Sequence, residues 1–139
     1  MLTLGGEEGY PLIMGISDIF NAGRRVAREI VMDLETTGLQ VSEGHRLLEV
    51  AAVEIVDGRI TGREFHALVN PERPIPPDNS KIHGITDEKV KGKPLFPAIA
   101  GALRDFIGND PVVITCRTEK GYTLDVAFLN MELERAGQA

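Results

Sequence analysis

The segment Ile30-Val31-Met32-Asp33-Leu34-Glu35-Thr36-Thr37-Gly38 constrains this chain more than any other. The run Glu29–Glu35 reads as a β-strand of the kind buried on both faces, and Gly38 marks the turn after it. Side chains at i and i+2 of a strand share a face, roughly 6–7 Å apart along the chain. Asp33 and Glu35 therefore sit together at the strand's C-terminal end. Two acids so placed cost stability unless positive charge lies between them. A divalent cation such as Mg²⁺ or Mn²⁺ suits, because carboxylates are the hard oxygen ligands these ions prefer. An isolated D-x-E also arises with one acid solvated and the other capping a turn, so the rest of the chain has to decide.

A length of 139 residues fits one domain with a real core. The proportions of 42% apolar and 26% charged residues are those of an ordinary globular protein. Fifteen Lys and Arg against 21 Asp and Glu give a net charge of −6, so no basic surface advertises nucleic-acid binding. A nucleic-acid enzyme stays open all the same, since a carboxylate site brings its counter-charge to phosphate as bound metal. The single Cys116 excludes an internal disulfide and a cysteine-based zinc site, and it suits a reducing cytoplasm. No apolar run approaches the roughly 18 residues of a membrane span.

Residues 1–27 differ from the rest. A glycine-rich, acidic start precedes a short helical stretch from Ser17 to Ala27, and the apolar piece Tyr10–Ile16 lacks the preceding basic residue of a secretory signal. The expectation is a poorly ordered appendage, a presequence or mis-assigned start, ahead of a domain over 28–139. Leu47–Val56 and Ile60–Val69 flank Asp57-Gly58 as a β-hairpin. Asn70–Asn79, with four prolines, reads as a loop, and Thr86–Val90 as a helical turn. Pro94 opens a helix with Phe96, Ile99, Ala100, Leu103, Phe106 and Ile107 on one face, closed by Gly108. Pro111–Thr115 reads as strand four. Thr123–Ala136 reads as a helix that buries Leu124, Phe128, Met131 and either Leu133 or Ala136, with Gly137 as its stop. The order β-β-β-α-β-α is an α/β pattern.

Four motifs in this order resemble the DnaQ-like (DEDDh) 3′–5′ exonucleases. Ile30 to Gly38 looks like their first motif, and Leu47-Leu48-Glu49-Val50-Ala51-Ala52-Val53-Glu54 is similar to their second strand. Ile82-His83-Gly84-Ile85-Thr86-Asp87 resembles their H-G-I-T/A-D segment. Leu124-Asp125-Val126-Ala127-Phe128-Leu129 matches the core of their F-D-x-x-F-L motif. The resemblance implies a ribonuclease H-like mixed sheet, with a three-stranded antiparallel portion followed by α/β crossovers. It also implies two-metal hydrolysis at a DNA 3′ end, with two Mg²⁺ or Mn²⁺ ions about 4 Å apart in a complete site. Asp33, Glu35 and Asp125 would be catalytic, as three of four carboxylate ligands. Leu34, Thr36, Thr37, Gly38 and His83 would lie on the substrate side. The implied partners are a single-stranded or frayed primer terminus and a replicative polymerase subunit.

The residues themselves agree on placement, because α/β sheets bind ligands at the C-terminal ends of their strands. Asp125 also complements the dipole of the helix it opens. His83 before a glycine is also an ordinary turn residue, and Thr36, Thr37 and Gly38 also suit simple turn chemistry. Glu49 reads as a structural hydrogen-bonding acid beside the first strand. His45 and His66 carry no signal above surface or strand positions.

Two departures from the family stand out. The family's His-Asn before its second-motif aspartate is replaced by Cys116-Arg117-Thr118-Glu119-Lys120-Gly121-Tyr122-Thr123, in which Arg117 or Lys120 contacts DNA or, the favoured reading, is solvated charge. The third motif, H-x(4)-D, which would supply the general base and a fourth metal-binding aspartate, is absent from these 139 residues. The expectation is a C-terminally truncated, partial exonuclease domain with feeble activity, since loss of a general base costs about 10²–10⁴-fold. One sheet face should be under-covered, exposing apolar surface. The alternatives are a non-catalytic remnant that binds nucleic acid or a polymerase partner, and an RNA 3′–5′ exonuclease, because sugar choice rests on contacts with the 2′-OH.

Overall fold

The computed structural model describes residues 28–114 and 124–138. The expected appendage over 1–27 and the loop Cys116–Thr123 lie outside the described residues. Strands β1 (Arg28–Thr36), β2 (Leu47–Val56), β3 (Arg59–Leu68) and β4 (Val112–Ile114) form one sheet in the order β3-β2-β1-β4. The first three pair antiparallel, and β4 runs parallel to β1. This is the mixed α/β sheet expected from the sequence. Asp57 and Gly58 turn β2 into β3 at φ 48° and 77°. Two left-handed residues in succession give the hairpin turn whose twist matches that of the strands.

Helices α1 (Pro77–His83), α2 (Asp87–Val90), α3 (Phe96–Ile107) and α4 (Leu124–Arg135) complete the described elements, with a 3₁₀ turn at Val41–Glu43. The main core lies on one side of the sheet. Ile30, Met32 and Leu34 of β1 and Val50 and Ala52 of β2 meet Phe96, Ala100, Leu103 and Ile107 of α3 and Val126, Leu129 and Leu133 of α4. Because both long helices pack on this side, β1 alternates instead of being buried throughout. Asp33 is exposed, and Val31 and Glu35 are half-buried. On that open side Ala51, Val53 and Ile55 are also only half-buried.

A register shift between Glu35 and Thr36, opposite the start of β2, sends neighbouring leucines to opposite sides. Leu47 joins the main core, while Leu48 joins Ile75, Ile85 and Val90 in a second cluster. That cluster anchors the segment carrying α1 and α2. Helix α1 corrects the reading of Asn70–Asn79 as loop throughout, for the helix begins at Pro77. Proline is favoured at the first helical position, where no N–H partner is lost and φ is already set. Among the described side chains of α4 the buried apolar ones are Val126, Phe128, Leu129 and Leu133, Met131 and the following Ala136 are half-buried, and the expected burial of Leu124 lies outside the described residues. Among the described residues no helix is long and apolar enough to cross a membrane.

Candidate active site

β4 pairs with β1 only over Ile30–Met32, so Asp33 to Thr36 run on beyond that pairing. The first turn of α4 meets β1 there, and the Leu34 backbone hydrogen-bonds to the Asp125 carboxylate. Asp125 is buried, and its pKa rises from 3.8 to about 6. Burial is the main cause, followed by the charges of Asp33 and Glu35, with the Leu34 bond opposing them. Its Oδ2 is buried with no hydrogen-bond partner among the described residues. Glu35 is pushed up as well, by burial and then by Asp33 and Glu49. Glu49 stands directly across from Glu35 on β2.

The fold thus brings Asp125, distant in sequence, within electrostatic reach of Asp33 and Glu35. A buried carboxylate with an orphaned oxygen and like charges beside it gains from a proton or a cation, and oxygen donors of this kind are the hard ligands that Mg²⁺ and Mn²⁺ prefer. Among the described residues no three acidic, histidine or cysteine side chains converge closely enough to hold an ion. Mutual repulsion of like charges opposes such convergence.

The loop after β1 is tied down at Thr37. Its N–H donates to the Arg46 carbonyl at 2.9 Å, and its hydroxyl accepts from the Arg46 N–H at 3.0 Å. The same hydroxyl pairs with His45 Nδ1 at 3.0 Å, and the Thr37 carbonyl accepts from Asn79 Nδ2 at 2.7 Å. Thr37 is fully buried, so its hydroxyl serves the loop rather than the solvent side. Thr36 donates its hydroxyl to the Gly38 carbonyl at 2.7 Å. Gly38 is required by close approach, because a Cβ there would lie 2.3 Å from the His45 ring. His45 is therefore no bare surface residue, as its sequence context suggested, but the wall against which this turn packs. Leu34 is buried in the core and offers the site only its main chain.

His83, at the end of α1, is half-buried. Its Nδ1 accepts from the Ile85 N–H at 3.1 Å, which leaves the ring proton on Nε2. That Nε2 is buried without a hydrogen-bond partner among the described residues. Burial lowers its pKa, with the Thr36 carbonyl and Glu49 pulling the other way. The ring is thus held as a neutral N–H donor near the Thr36 carbonyl and Glu49. His66, which also carried no signal in the sequence, bonds Glu49 Oε2 through Nε2 at 2.9 Å.

A family model described as an exonuclease, of the RNase T type, matches residues 30–139. The chain belongs to this exonuclease family. DNA polymerase III subunit epsilon of Rickettsia felis is 45% identical over 106 residues, which cover 76% of this chain and 44% of that protein. The subunit of the same name from Escherichia coli K12 is 37% identical over 111 residues, 77% of this chain and 44% of that one. The chain thus spans less than half the length of the curated relatives it matches. Among solved structures, product-bound exonuclease I superimposes with a TM-score of 0.65 at 18% identity, over 79% of this chain and 26% of that one. That likeness is one of fold, and it agrees with the ribonuclease H-like sheet of the exonuclease family.

Within this exonuclease domain three contributors to the site escaped sequence reasoning: His45, Asn79 and the pair Arg46–Glu132. Arg46 and Glu132 are 86 residues apart, yet Arg46 Nε and Nη2 donate to the two Glu132 carboxylate oxygens at 2.6 and 2.9 Å. The nearby arginine is spent on Glu132. For His45, its place across the turn from Gly38 was the single available hint.

Proposed function

We propose that this chain carries the acidic half of a proofreading-type 3′–5′ exonuclease site acting on DNA. The observation that supports this reading most is Asp125, buried, raised to about 6 and left with an orphaned oxygen beside Asp33 and Glu35. Asp33, Glu35 and Asp125 would hold divalent metal, Mg²⁺ or Mn²⁺. When bound, such ions supply a nucleophilic water and stabilise the charge on attacking and leaving oxygens. The protein's own part is to bind and orient. The Thr37 ties hold the turn at the end of β1, so that Leu34, Thr36 and Gly38 offer main-chain groups to a terminal nucleotide. His83 offers a neutral Nε2–H donor. It is not the water-activating base, because Ile85 occupies its acceptor nitrogen.

No H-x(4)-D occurs in these 139 residues. A general base is worth about 10²–10⁴-fold in rate, and none is assigned among these residues. A second reading keeps the acidic site without catalysis, the chain binding nucleic acid or a polymerase partner. The names of the epsilon-subunit relatives support DNA over RNA, a replicative polymerase partner and a cytoplasmic setting. The test is Mg²⁺-dependent release of 5′-mononucleotides from single-stranded DNA, compared with an RNA of the same sequence. Slow release that disappears with Asp33→Ala is expected. Undiminished release by Asp33→Ala overturns the assignment, and metal-independent DNA binding with no release in either protein selects the second reading.

A further inference from the structure

We infer that the buried ion pair Arg46–Glu132 is the positioning device that holds Asp125 against Asp33 and Glu35. The inference rests on the proposed metal-binding role of those three acids. Glu132 is 1% exposed, and three donors converge on its carboxylate: Arg46 Nε at 2.6 Å, Arg46 Nη2 at 2.9 Å and the Leu47 N–H at 3.4 Å. Asp125 lies seven residues earlier on α4. Seven residues fall about 20° short of two full turns, so both acids project from one side of the helix, about 10 Å apart along it. Fixing Glu132 therefore fixes both the rotation of α4 and its advance toward β1.

The other end of the clamp is equally specific. The Arg46 main chain makes both of its hydrogen bonds with Thr37, two residues after Glu35. One arginine thus joins the strand end that carries Asp33 and Glu35, through its backbone, to the helix that carries Asp125, through its guanidinium. Val126, Leu129 and Leu133 pack α4 into the core through contacts that carry no directional requirement, so they constrain its rotation and advance less than a hydrogen-bonded pair does. A bidentate arginine–carboxylate contact does not tolerate such movement. Buried ion pairs add little net stability compared with apolar replacements, so the advantage of this one is geometric.

The test uses the full chain and Mn²⁺ alone, with free ion followed by its electron spin resonance, so that no turnover is needed. Glu132→Gln should weaken Mn²⁺ binding by about tenfold or more, the range seen when residues supporting metal ligands are lost. Arg46→Lys, which keeps the charge but not the fork, should fall between Glu132→Gln and wild type. Should Glu132→Gln fail to fold, the paired replacement Arg46→Met with Glu132→Leu removes both charges at similar volume and should keep the fold while losing the affinity. Leu133→Ala, one position along α4, is the control for destabilisation alone and should leave the affinity of the folded protein unchanged. Wild-type affinity in either clamp variant overturns the inference, as does equal weakening by Leu133→Ala. Failure of the underlying assignment looks different: Asp125→Asn would then bind Mn²⁺ as well as wild type does.

Discussion

The two ends of β1 both gather acidic side chains, and they treat Glu54 and Asp125 in opposite ways. At the N-terminal end Glu54 is buried, but Arg28 Nε reaches it at 2.6 Å, Arg63 Nη1 at 2.9 Å and the Thr61 hydroxyl at 2.9 Å. Arg28 also donates to Asp110 and to the carbonyls of Phe106 and Ile107, and it lies over the Phe106 ring. The Arg28 hydrogen bond, then Thr61, holds the Glu54 carboxyl below the usual range. At the C-terminal end Glu35 and Asp125 are pushed above it, and Arg46, tied to the turn after β1, is engaged with Glu132. The first arrangement is a structural knot around Glu54, satisfied within the chain, although Glu29 on the same strand end is buried with an Oε2 unpartnered among the described residues and is pushed up by burial alone. The second holds charge against a gradient, the condition in which a site gains from a ligand that the folded chain does not itself supply.

Three substitutions would sharpen or break this contrast. The largest effect is expected from Arg28→Ala, which removes four hydrogen bonds and leaves Glu54 buried beside only Arg63 and Thr61. Its melting temperature at neutral pH should fall further than that of the other two variants. Because the folded pKa of Glu54 is depressed, this contribution is present above the ordinary carboxylate range and is lost as pH falls through the folded value. The wild-type and Arg28→Ala melting curves should therefore converge in acid. A gap that persists there would show that packing on Phe106, rather than charge, is what Arg28 provides.

Asp125→Asn should act in the opposite direction. Below pH 3.8 Asp125 is protonated whether the chain is folded or not. Between 3.8 and about 6 the unfolded chain ionises first, so stability falls as pH rises through that window and stays lower above it. Roughly two pKa units correspond to about 3 kcal/mol. In metal-free buffer Asp125→Asn should thus be more stable than wild type at pH 7, by up to that amount, with the gain vanishing below about pH 4. Denaturant titrations at the two pH values measure it, and a variant less stable at pH 7 would place Asp125 with the structural acids.

His66→Ala is the smallest. The His66–Glu49 contact is largely exposed, and exposed pairs contribute about 0–1 kcal/mol. The melting temperature should barely move, and a drop comparable to that of Arg28→Ala would mean that the acidic end is knotted too.

Much of this architecture was legible in the residues. An apolar run marked β2, the Asp57-Gly58 turn set the hairpin, and the spacing from Phe96 to Ile107 marked α3. The D-x-E at Asp33 and Glu35 signalled the site, and Asp125 in a helix's first turn supplied its third member. Local pattern misled where a breaker residue had a second use, as at Pro77, which starts α1 instead of prolonging a loop. It was silent where the partner lay far away. Only its place across the turn from Gly38 hints that the His45 ring fills the space a side chain at position 38 would need, and nothing near Glu132 announces Arg46.

The sequence by itself determined the strands, the long helices and the chemical type of the site, because hydrophobic period, turn residues and carboxylate spacing act over a few residues. Tertiary structure alone decided which acids are neutralised and which are left wanting a cation. Glu54 and Asp125 are alike as side chains and both buried. Their opposite shifts come from what the fold puts beside them, Arg28 and Thr61 for Glu54 and burial with Asp33 and Glu35 for Asp125, and charge interactions depend on distance in space, not along the chain.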